Sequence, residues 1–340
     1  MPDIMNRQVV LKSRPAGEPT EANFELIERP LPPVGEGEVL CRTIYLSLDP
    51  YMRGRMNAGR SYADPVKVGA VMCGGTVSQV VESRHPNFAP GDLVLGYDGW
   101  QAYGVSRGEG LGHLDAKAAP ISYALGVLGM PGMTAYVGML DIGQPKPGES
   151  VVVSAAAGAV GSVAGQIAKI VGGRVIGTAG TDEKCDHAVK VLGFDACVNY
   201  KTQDLVRGLR QACPDGIDVY FDNVGGPVLE AVLRQINPRA RVAMIGLISQ
   251  YNATALAPGP NLMPLLVKRA MIKGMIVSDH KDREAAFLAD VSRWLKEGKI
   301  KYREDIVEGL ASAPAAFLGL FHGRNFGKLL IRVSPDPTRR

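Results

Sequence analysis

Apolar residues in the first third of the chain fall in short runs, broken by Gly- and Pro-containing turns such as Ala89-Pro90-Gly91-Asp92. Runs rich in β-branched residues between such turns predict β-strands. We therefore expect a compact all-β domain from about residue 7 to 125. Its predicted strands include Gln8–Leu11, Glu38–Ser47, Thr76–Val81 and Leu93–Gly96.

The pattern changes from about residue 145 to 280, where apolar strands alternate with segments of helical periodicity. This alternation predicts βαβ units and a parallel sheet. The predicted strands are Ser150–Ala155, Arg174–Ala179, Cys197–Asn199, Val219–Asn223, Arg241–Gly246 and Ile272–Val277. The predicted helices are Val160–Val171, Glu183–Leu192 and Arg283–Glu297, and the last is expected to face the sheet with Ala286, Leu288, Ala289, Val291, Trp294 and Leu295. A final strand, Leu329–Val333, could return to the first domain.

The turn between the first strand and the first helix of this region reads Ala156-x-Gly158-x-x-Gly161. It is the dinucleotide-binding fingerprint with Ala in place of the first Gly. Gly158 offers no side chain to block a pyrophosphate, Gly161 allows the helix to pack closely, and the free amides of the helix start favour an anion. We predict that Gly158, Ala159, Val160 and Gly161 hold the pyrophosphate of a nicotinamide cofactor. The alternative is a close-packed turn without a ligand.

The end of the second strand distinguishes NAD from NADP, because an acid there would bind the ribose 2′-hydroxyl of NAD. Here the strand ends at Gly180, which leaves room for a phosphate, and Lys184 follows one turn into the next helix. Asp182 and Glu183 are contrary evidence, but acids are also common at a helix N-terminus. We therefore predict NADPH/NADP+ as the cofactor.

Composition excludes several other classes of protein. The chain has 340 residues, 46% apolar and 21% charged, which is ordinary for a globular protein and long enough for two domains. Its net charge of +4 is small and the basic residues are scattered, so no nucleic acid is expected as a partner. Val151–Ala168 carries no charge, but it has the pattern of a strand, a turn and a helix, so no membrane span is expected. No secretory signal is visible, and we expect a cytoplasmic protein.

Metal-ligand patterns are also missing from the sequence. The five cysteines are widely spaced without Cys-x-x-Cys, and the five histidines are isolated. We therefore expect no metal site and reduced, inert thiols. The residues concerned are Cys41, Cys73, Cys185, Cys197, Cys213, His85, His113, His187, His280 and His322.

Several stretches spread over the chain resemble one family, the zinc-independent medium-chain dehydrogenases/reductases, and within it the alkenal/one oxidoreductases. This group includes prostaglandin reductases, plant double-bond reductases and curcumin-reductase-like enzymes. Where zinc-dependent relatives carry Gly-His-Glu, this chain has Gly69-Ala70-Val71. The matching stretches are Leu48–Arg53, Gly129–Tyr136, Ala155–Ser162, Gly193–Asp195, Asn199–Lys201, Tyr220–Gly226 and Asn325–Lys328.

The resemblance implies a fold and a set of cofactor contacts. Residues 1–125 and 300–340 would form a GroES-like β-barrel catalytic domain, and residues 126–299 a Rossmann NADP-binding domain with a doubly wound parallel sheet. Gly180, Lys184 and Tyr200 would meet the 2′-phosphate. The other implied cofactor-facing residues are Thr134, Asn223, Ile245, Gly246, Leu247, Ile248, Ser249, Tyr251, Met275, Ile276, Val277 and Asn325.

The resemblance also implies an activity, the NADPH-dependent reduction of the C=C bond of α,β-unsaturated ketones and aldehydes. Tyr251 is the first candidate to donate a hydrogen bond to the substrate carbonyl, and Tyr51 is the second. Quinone reduction, NADPH binding without turnover and, least favoured, a zinc alcohol dehydrogenase remain as alternatives. A homodimer through the sheet edge near Ile272–Val277 is expected. The substrate is not specified, because the pocket loops Arg55–Ala63, Trp100–Tyr103 and Asn252–Met263 have no readable shape.

Overall fold

A computed structural model describes residues 5–255 and 257–339. The expected domain limits at residues 1 and 340, and residue 256 of the expected pocket loop, lie outside the described residues. The chain divides into two compact units. The first contains the chain up to Leu125, Glu304–Asn325 and the segment from Leu329 onward, and the second contains Gly126–Arg303 and Phe326–Lys328. None of the helices in the described part is long and apolar enough to cross a bilayer.

Strands and helices are numbered in chain order. The strands are β1 (Met5–Leu11), β2 (Phe24–Pro30), β3 (Val39–Ser47), β4 (Thr76–Ser83), β5 (Leu93–Gly96), β6 (Tyr103–Ser106), β7 (Gly112–His113), β8 (Ser150–Ser154), β9 (Arg174–Ala179), β10 (Ala196–Asn199), β11 (Ile217–Asp222), β12 (Ile236–Met244), β13 (Met271–Gly274), β14 (Glu304–Glu308) and β15 (Lys328–Arg332). The helices are α1 (Met52–Arg55), α2 (Met130–Val137), α3 (Gly161–Ile170), α4 (Asp182–Lys190), α5 (Leu205–Ala212), α6 (Gly226–Leu233), α7 (Met263–Lys268), α8 (Glu284–Lys296) and α9 (Ala313–Phe321).

The first unit is built on antiparallel strands. Its larger sheet has the order β14-β15-β3-β4-β5-β7, with β6 also paired to β3, and β1 and β2 form a separate ribbon. The central strand β3 is buried along nearly its whole length, as its apolar run predicted. Aromatic residues fill the core beneath, where Trp100 stacks on Phe24 at 5.5 Å and meets the edge of Phe317. The final strand β15 joins this sheet beside β3, as its position in the sequence suggested.

The second unit is built on six parallel strands in the order β10-β9-β8-β11-β12-β13. In order of appearance within the unit this is 3-2-1-4-5-6, the doubly wound Rossmann arrangement. The order reverses between β8 and β11, so the carboxyl ends of these two strands flank the crevice where such sheets bind ligands. The central strands β8 and β11 are almost wholly buried, as expected for strands inside a parallel sheet that is covered on both faces.

Two predicted strands are wrong at their ends. β12 begins at Ile236 and ends at Met244, and β13 stops at Gly274 rather than at Val277. The amide of Met275 still bonds the carbonyl of Met244, and the chain then enters a 3-10 turn over Val277–Arg283. An apolar run alone did not mark where strand pairing stops.

The predicted inner face of α8 is also partly wrong. Its buried residues are Phe287, Val291 and Trp294, whereas Leu288 is 39% exposed. The rings of Phe287 and Trp294 contact Tyr136 of α2 at 5.9 and 6.2 Å. The stripe is rotated because the helix packs its aromatic residues against a neighbouring helix.

Candidate active site

The turn that follows β8 has the form predicted for a phosphate-binding loop. Ala155 takes a positive φ of 51°, and the amide of Gly158 bonds back to the Ala155 carbonyl at 2.9 Å. Residue Gly161 then opens α3. The tight reversal aims the start of α3 at the crevice beside the carboxyl end of β8.

The two glycines of the turn have different roles. A Cβ on Gly161 would lie 2.3 Å from the Ala155 carbonyl oxygen, so the helix can only approach the strand this closely at glycine. A Cβ on Gly158 would lie 3.2 Å from that same oxygen, with no closer neighbour. Gly161 is therefore needed for packing, while Gly158 keeps the outer face of the turn open.

The start of α3 provides donors for an anion. No side chain caps the helix, and within the described residues the amides of Ala159, Val160 and Gly161 make no backbone hydrogen bond outside the helix. Unpaired amides at a helix start, together with the helix dipole, favour negative charge. The four residues predicted to contact the pyrophosphate are consecutive at the start of α3, and they fit a dinucleotide phosphate.

A buried carboxylate that sequence reasoning overlooked fixes the facing strand end. Asp222, the last residue of β11, is fully buried, and its Oδ1 accepts hydrogen bonds from the Tyr220 hydroxyl and from the amides of Val224 and Gly225 at 2.7–2.9 Å. Burial raises the pKa of Asp222, although the two amides and the Tyr220 hydroxyl oppose this. The signal was present in the sequence as an acid directly after an apolar strand.

The predicted cofactor residue Asn223 follows this carboxylate. Its side-chain amide donates to the Ser154 carbonyl at 2.7 Å, and its backbone amide donates to the Ser154 hydroxyl at 2.8 Å. Both bonds join the end of β11 to the end of β8. The side-chain oxygen of Asn223 remains as the acceptor that a bound ligand could use.

Gly180, which directly follows β9, is packed under a tyrosine. A Cβ on Gly180 would lie 2.8 Å from the Tyr200 hydroxyl and 3.3 Å from Cε of Lys201. The structure thus brings together two of the residues predicted for the 2′-phosphate and adds Lys201, which sequence reasoning did not select. Burial raises the pKa of Tyr200, so its hydroxyl stays protonated and can donate to a phosphate.

The two acids at the start of α4 lie in its first turn and away from the end of β9. The Thr181 hydroxyl caps the helix by accepting from the Lys184 amide at 3.3 Å, and Asp182 accepts from the Asn199 side chain at 2.7 Å. Glu183 is exposed in the first turn. Neither acid occupies the end of β9, where a ribose-binding acid of an NAD enzyme would stand. This arrangement agrees with the preference for NADP.

The loop after β12 carries most of the predicted nicotinamide-side residues. The amides of Ile245 and Gly246 bond the Asp222 carbonyl at 2.8 and 3.1 Å, which holds this loop against the end of β11. Ile248–Gln250 forms a 3-10 turn, and the Ser249 hydroxyl donates to the Val224 carbonyl at 2.6 Å. Leu247 lies in the chain between these two sets of hydrogen bonds.

Met275, Ile276 and Val277 leave the neighbouring strand at the same edge of the sheet. Met275 is buried and bonded to the end of β12, whereas Ile276 and Val277 begin the 3-10 turn that follows β13. These predicted residues therefore lie beside the loop that follows β12.

The first candidate donor, Tyr251, directly follows the 3-10 turn. A Cβ on Gly246 would lie 3.3 Å from the Tyr251 hydroxyl, so this hydroxyl is positioned over the glycine that follows β12. Burial raises the pKa of Tyr251, and the nearby Leu247 backbone opposes the rise only in part. A neutral phenol keeps its proton available for an outside acceptor.

Thr134 is held within its own helix. It is buried in α2, and its hydroxyl donates to the Met130 carbonyl at 2.7 Å. Toward a cofactor, this hydroxyl can therefore act only as an acceptor.

The second candidate donor, Tyr51, belongs to the first unit, as does Asn325. Tyr51 precedes α1, and burial, together with the charge of Asp49, raises its pKa well above the usual value. Four residues on, the Nε and Nη1 atoms of Arg55 are buried without a hydrogen-bond partner in the described part of the chain. Sequence reasoning gave Arg55 only as the first residue of a loop.

Groups of three or more His, Cys, Asp or Glu side chains arranged to hold a metal ion do not occur among residues 5–255 and 257–339.

Known proteins resemble this chain over nearly its full length. Residues 7–114 match the N-terminal domain of oxidoreductase family, and residues 159–293 match the zinc-binding dehydrogenase family. The NADPH-dependent curcumin reductase of Escherichia coli (strain K12) is 53% identical over 97% of this chain and 98% of that protein. The 2-alkenal reductase (NADP(+)-dependent) of Nicotiana tabacum is 43% identical over 98% of this chain and 99% of that protein. The chain belongs to the alkenal/one oxidoreductase group of the medium-chain dehydrogenases/reductases.

A solved structure shows that the similarity also holds for the three-dimensional fold of the chain. CurA from Vibrio vulnificus in complex with NADPH is 52% identical, with a TM-score of 0.94, over 97% of this chain and all of that chain. The family and the fold class expected from the sequence are both confirmed. The individual site residues remain predictions, supported by the contacts described above.

Proposed function

We propose that this alkenal/one oxidoreductase reduces the C=C bond of α,β-unsaturated ketones and aldehydes with NADPH. The observation that carries the proposal is an open phosphate turn at the strand-order reversal of the sheet, in a chain 53% identical to an NADPH-dependent curcumin reductase. A 2-alkenal reductase and a prostaglandin reductase of similar length support the same substrate class.

The residues present fit NADPH. The turn from Gly158 to Gly161 would hold the pyrophosphate, since Gly158 leaves its outer face open and the start of α3 offers amide donors. The 2′-phosphate would meet Lys184 and Tyr200, beside Gly180, whose missing side chain leaves room for the Tyr200 hydroxyl. Asp182 accepts a hydrogen bond from the Asn199 side chain.

When bound, NADPH supplies the hydride that adds to the β-carbon of the substrate. As this bond forms, negative charge develops on the carbonyl oxygen, and a fixed donor near that oxygen stabilises the charge. Tyr251 serves as this donor, because burial raises its pKa and its hydroxyl keeps its proton. Tyr51 is the second candidate, and its raised pKa likewise keeps it protonated. The α-carbon is then protonated to complete the reduction.

The reaction is proposed to need no bound metal. Gly69-Ala70-Val71 stands where zinc-dependent relatives have Gly-His-Glu, so the ligands of that site are not in this sequence. Elemental analysis of the active, purified enzyme tests this point. Zinc in stoichiometric amount, whose removal abolishes turnover, would contradict it.

The activity is tested by following NADPH oxidation with an aliphatic 2-alkenal, an aryl enone, a saturated ketone and 1,4-benzoquinone, with NADH in parallel. NADPH deuterated at C4 should place the label on the β-carbon of the saturated product, as detected by NMR. The saturated ketone should not react. Turnover with the quinone alone would favour a quinone oxidoreductase, and tight NADPH binding without any turnover would favour a non-catalytic binding protein.

A homodimer is proposed through the outer edge of β13. Within the described residues no strand pairs with that edge, and the adjoining helix α7 exposes Leu266 by 74% and Val267 by 60%. An open strand edge beside an apolar surface is typical of a protein interface. Light scattering coupled to size exclusion should give twice the chain mass, and Leu266→Glu should give the monomer mass. A monomeric wild-type protein would refute the proposal.

A further inference from the structure

Two cysteines of the second unit lie in contact. Cys185 is in the first turn of α4 and Cys197 is in β10, and their sulfur atoms are 2.7 Å apart. Both side chains are half-buried. A disulfide bond measures about 2.0 Å, so the sulfurs need to approach by only about 0.7 Å to become bonded. The wide spacing of the cysteines in the sequence gave no indication of this pair.

The pair lies behind the proposed 2′-phosphate site. Cys185 directly follows Lys184, and Cys197 is three residues before Tyr200. A second link runs alongside, because Asp182 of α4 accepts a hydrogen bond from Asn199 of β10. The two elements that carry the phosphate contacts are thus already held together at this point.

The environment of Cys197 leaves its sulfur little freedom. Cys197 pairs in register with Gly177 of β9, and a Cβ on Gly177 would lie 3.2 Å from the Cys197 sulfur. The same Cβ would lie 2.7 Å from Cβ of Ala156 in the phosphate turn. The sulfur therefore occupies the space left by a missing side chain, and it is directed toward Cys185.

The two thiols differ in chemical character. Cys197 donates its S–H to the sulfur of Cys185, which lowers the pKa of Cys185, while burial and the charge of Asp182 act in the opposite direction. The same hydrogen bond, together with burial, raises the pKa of Cys197. Cys185 is accordingly the sulfur that carries negative charge first, and the thiolate is the reactive form of cysteine.

We propose that Cys185 and Cys197 form a redox-active dithiol, a modification site that a hydroperoxide converts reversibly into a disulfide. The Cys185 thiolate attacks the peroxide oxygen, the O–O bond breaks, and sulfenic acid and an alcohol, or water from hydrogen peroxide, are formed. The Cys197 sulfur then attacks the sulfenic sulfur, its proton leaves with the displaced hydroxide as water, and the S–S bond forms. Two thiols are oxidised and one peroxide is reduced.

The bond is expected to leave the cofactor site in place. The sulfurs are already close, so α4 does not have to leave β10, and Lys184 and Tyr200 keep their positions. The oxidised protein should therefore bind NADPH with nearly unchanged affinity. A dithiol exchange reagent should restore the reduced form.

The test uses the full-length protein, reduced, freed of reductant in the presence of a chelator, and treated with a small excess of hydrogen peroxide. The thiol titre should fall by two, from five to about three per chain. Trypsin separates the two cysteines into the peptides Cys185–Lys190 and Val191–Lys201. Without reduction, mass spectrometry should find these peptides linked, with the mass of their sum less two hydrogens, and dithiothreitol should release them.

Variants make the result decisive. Cys213→Ala, at a buried cysteine of the same unit, should still form the linked peptides. Cys197→Ala should form no linked peptides and should react more slowly with peroxide, because Cys185 loses the hydrogen bond that lowers its pKa. The proposal is overturned if peroxide oxidises other cysteines while this pair stays reduced, or if the oxidised wild-type protein loses NADPH binding in a fluorescence titration.

Discussion

Replacing Tyr251 by Phe removes one hydroxyl from the proposed site and leaves the ring. In the structure this hydroxyl lies over Gly246, in the loop that follows β12. If the hydroxyl donates to the substrate oxygen only as charge develops, its loss raises the barrier without weakening substrate binding. We therefore expect kcat and kcat/KM to fall together, with little change in KM.

The size of the effect follows from the role of the donor. Removing one donor to a developing oxyanion lowers the rate by about 10²-fold or more, equivalent to about 2.7 kcal/mol. Because burial raises the pKa of Tyr251 above its ordinary value near 10, the wild-type hydroxyl stays protonated throughout a neutral assay range. The ratio of wild-type to variant kcat should therefore be constant from about pH 6 to pH 9.

The assay is steady-state NADPH oxidation with an aryl enone, with Tyr136→Phe as a matched control. Tyr136 donates to Asp290 at 2.8 Å, so its variant undergoes the same chemical change and loses a structural hydrogen bond. It should show a lower Tm and an unchanged kcat. Full kcat/KM in Tyr251→Phe would refute the donor role of Tyr251. An equal loss in the two variants would mean that the effect arises from the fold rather than from the reacting oxygen.

Three further changes test the cofactor site and its support. Gly158→Ala should raise the Kd for NADPH at least about tenfold in a fluorescence titration, while its Tm stays near that of wild type. Gly161→Ala should chiefly lower Tm, because its Cβ would meet a carbonyl oxygen at 2.3 Å. Lys184→Ala should raise the KM for NADPH by about 10- to 100-fold, as expected for a lost charge-assisted hydrogen bond, and leave the KM for NADH unchanged; equal effects on both would refute a phosphate contact. Burial alone would raise the pKa of Asp195, but the Lys169 ammonium at 2.8 Å outweighs it and lowers this pKa. The resulting contribution to stability is fully present above the unfolded pKa near 4 and is lost as pH falls through the lower folded value. Asp195→Asn should therefore lower Tm by a few degrees at pH 7 and by progressively less as the pH falls below about 4, as measured by scanning fluorimetry.

The sequence predicted the parts of the fold that depend on local pattern. The βαβ alternation, the phosphate turn and the pairing of β15 with the first sheet each follow from apolar spacing, glycine position or chain order. The ends of β12 and β13 did not follow, because they depend on where a neighbouring strand stops bonding. The buried face of α8 was misassigned for a similar reason, since Tyr136 decides which of its residues are covered.

The sequence identified many residues of the proposed site, but it did not show which side chains lie next to them. Gly180 was selected because a small residue leaves space, but the structure shows the Tyr200 hydroxyl and the Lys201 side chain at the edge of that space. A lysine adjacent to a predicted contact carries no pattern of its own. The proximity of Cys185 and Cys197 depends on how α4 packs against β10, which spacing along the chain cannot give.

Asp222 shows how one residue at the strand-order reversal positions several residues of the proposed site. Its Oδ1 collects three strong hydrogen bonds, while its Oδ2 has no partner in the described part of the chain, and a buried, half-satisfied carboxylate costs stability. The bonds to Val224 and Gly225 fix the turn after β11, and that turn directs the Asn223 side chain to β8. The backbone carbonyl of Asp222 also holds the loop that leads to the proposed donor Tyr251. One buried acid therefore sets the position of residues from two strand ends. The structure accepts the cost of burying this acid in stability, and the acid orders the proposed active site.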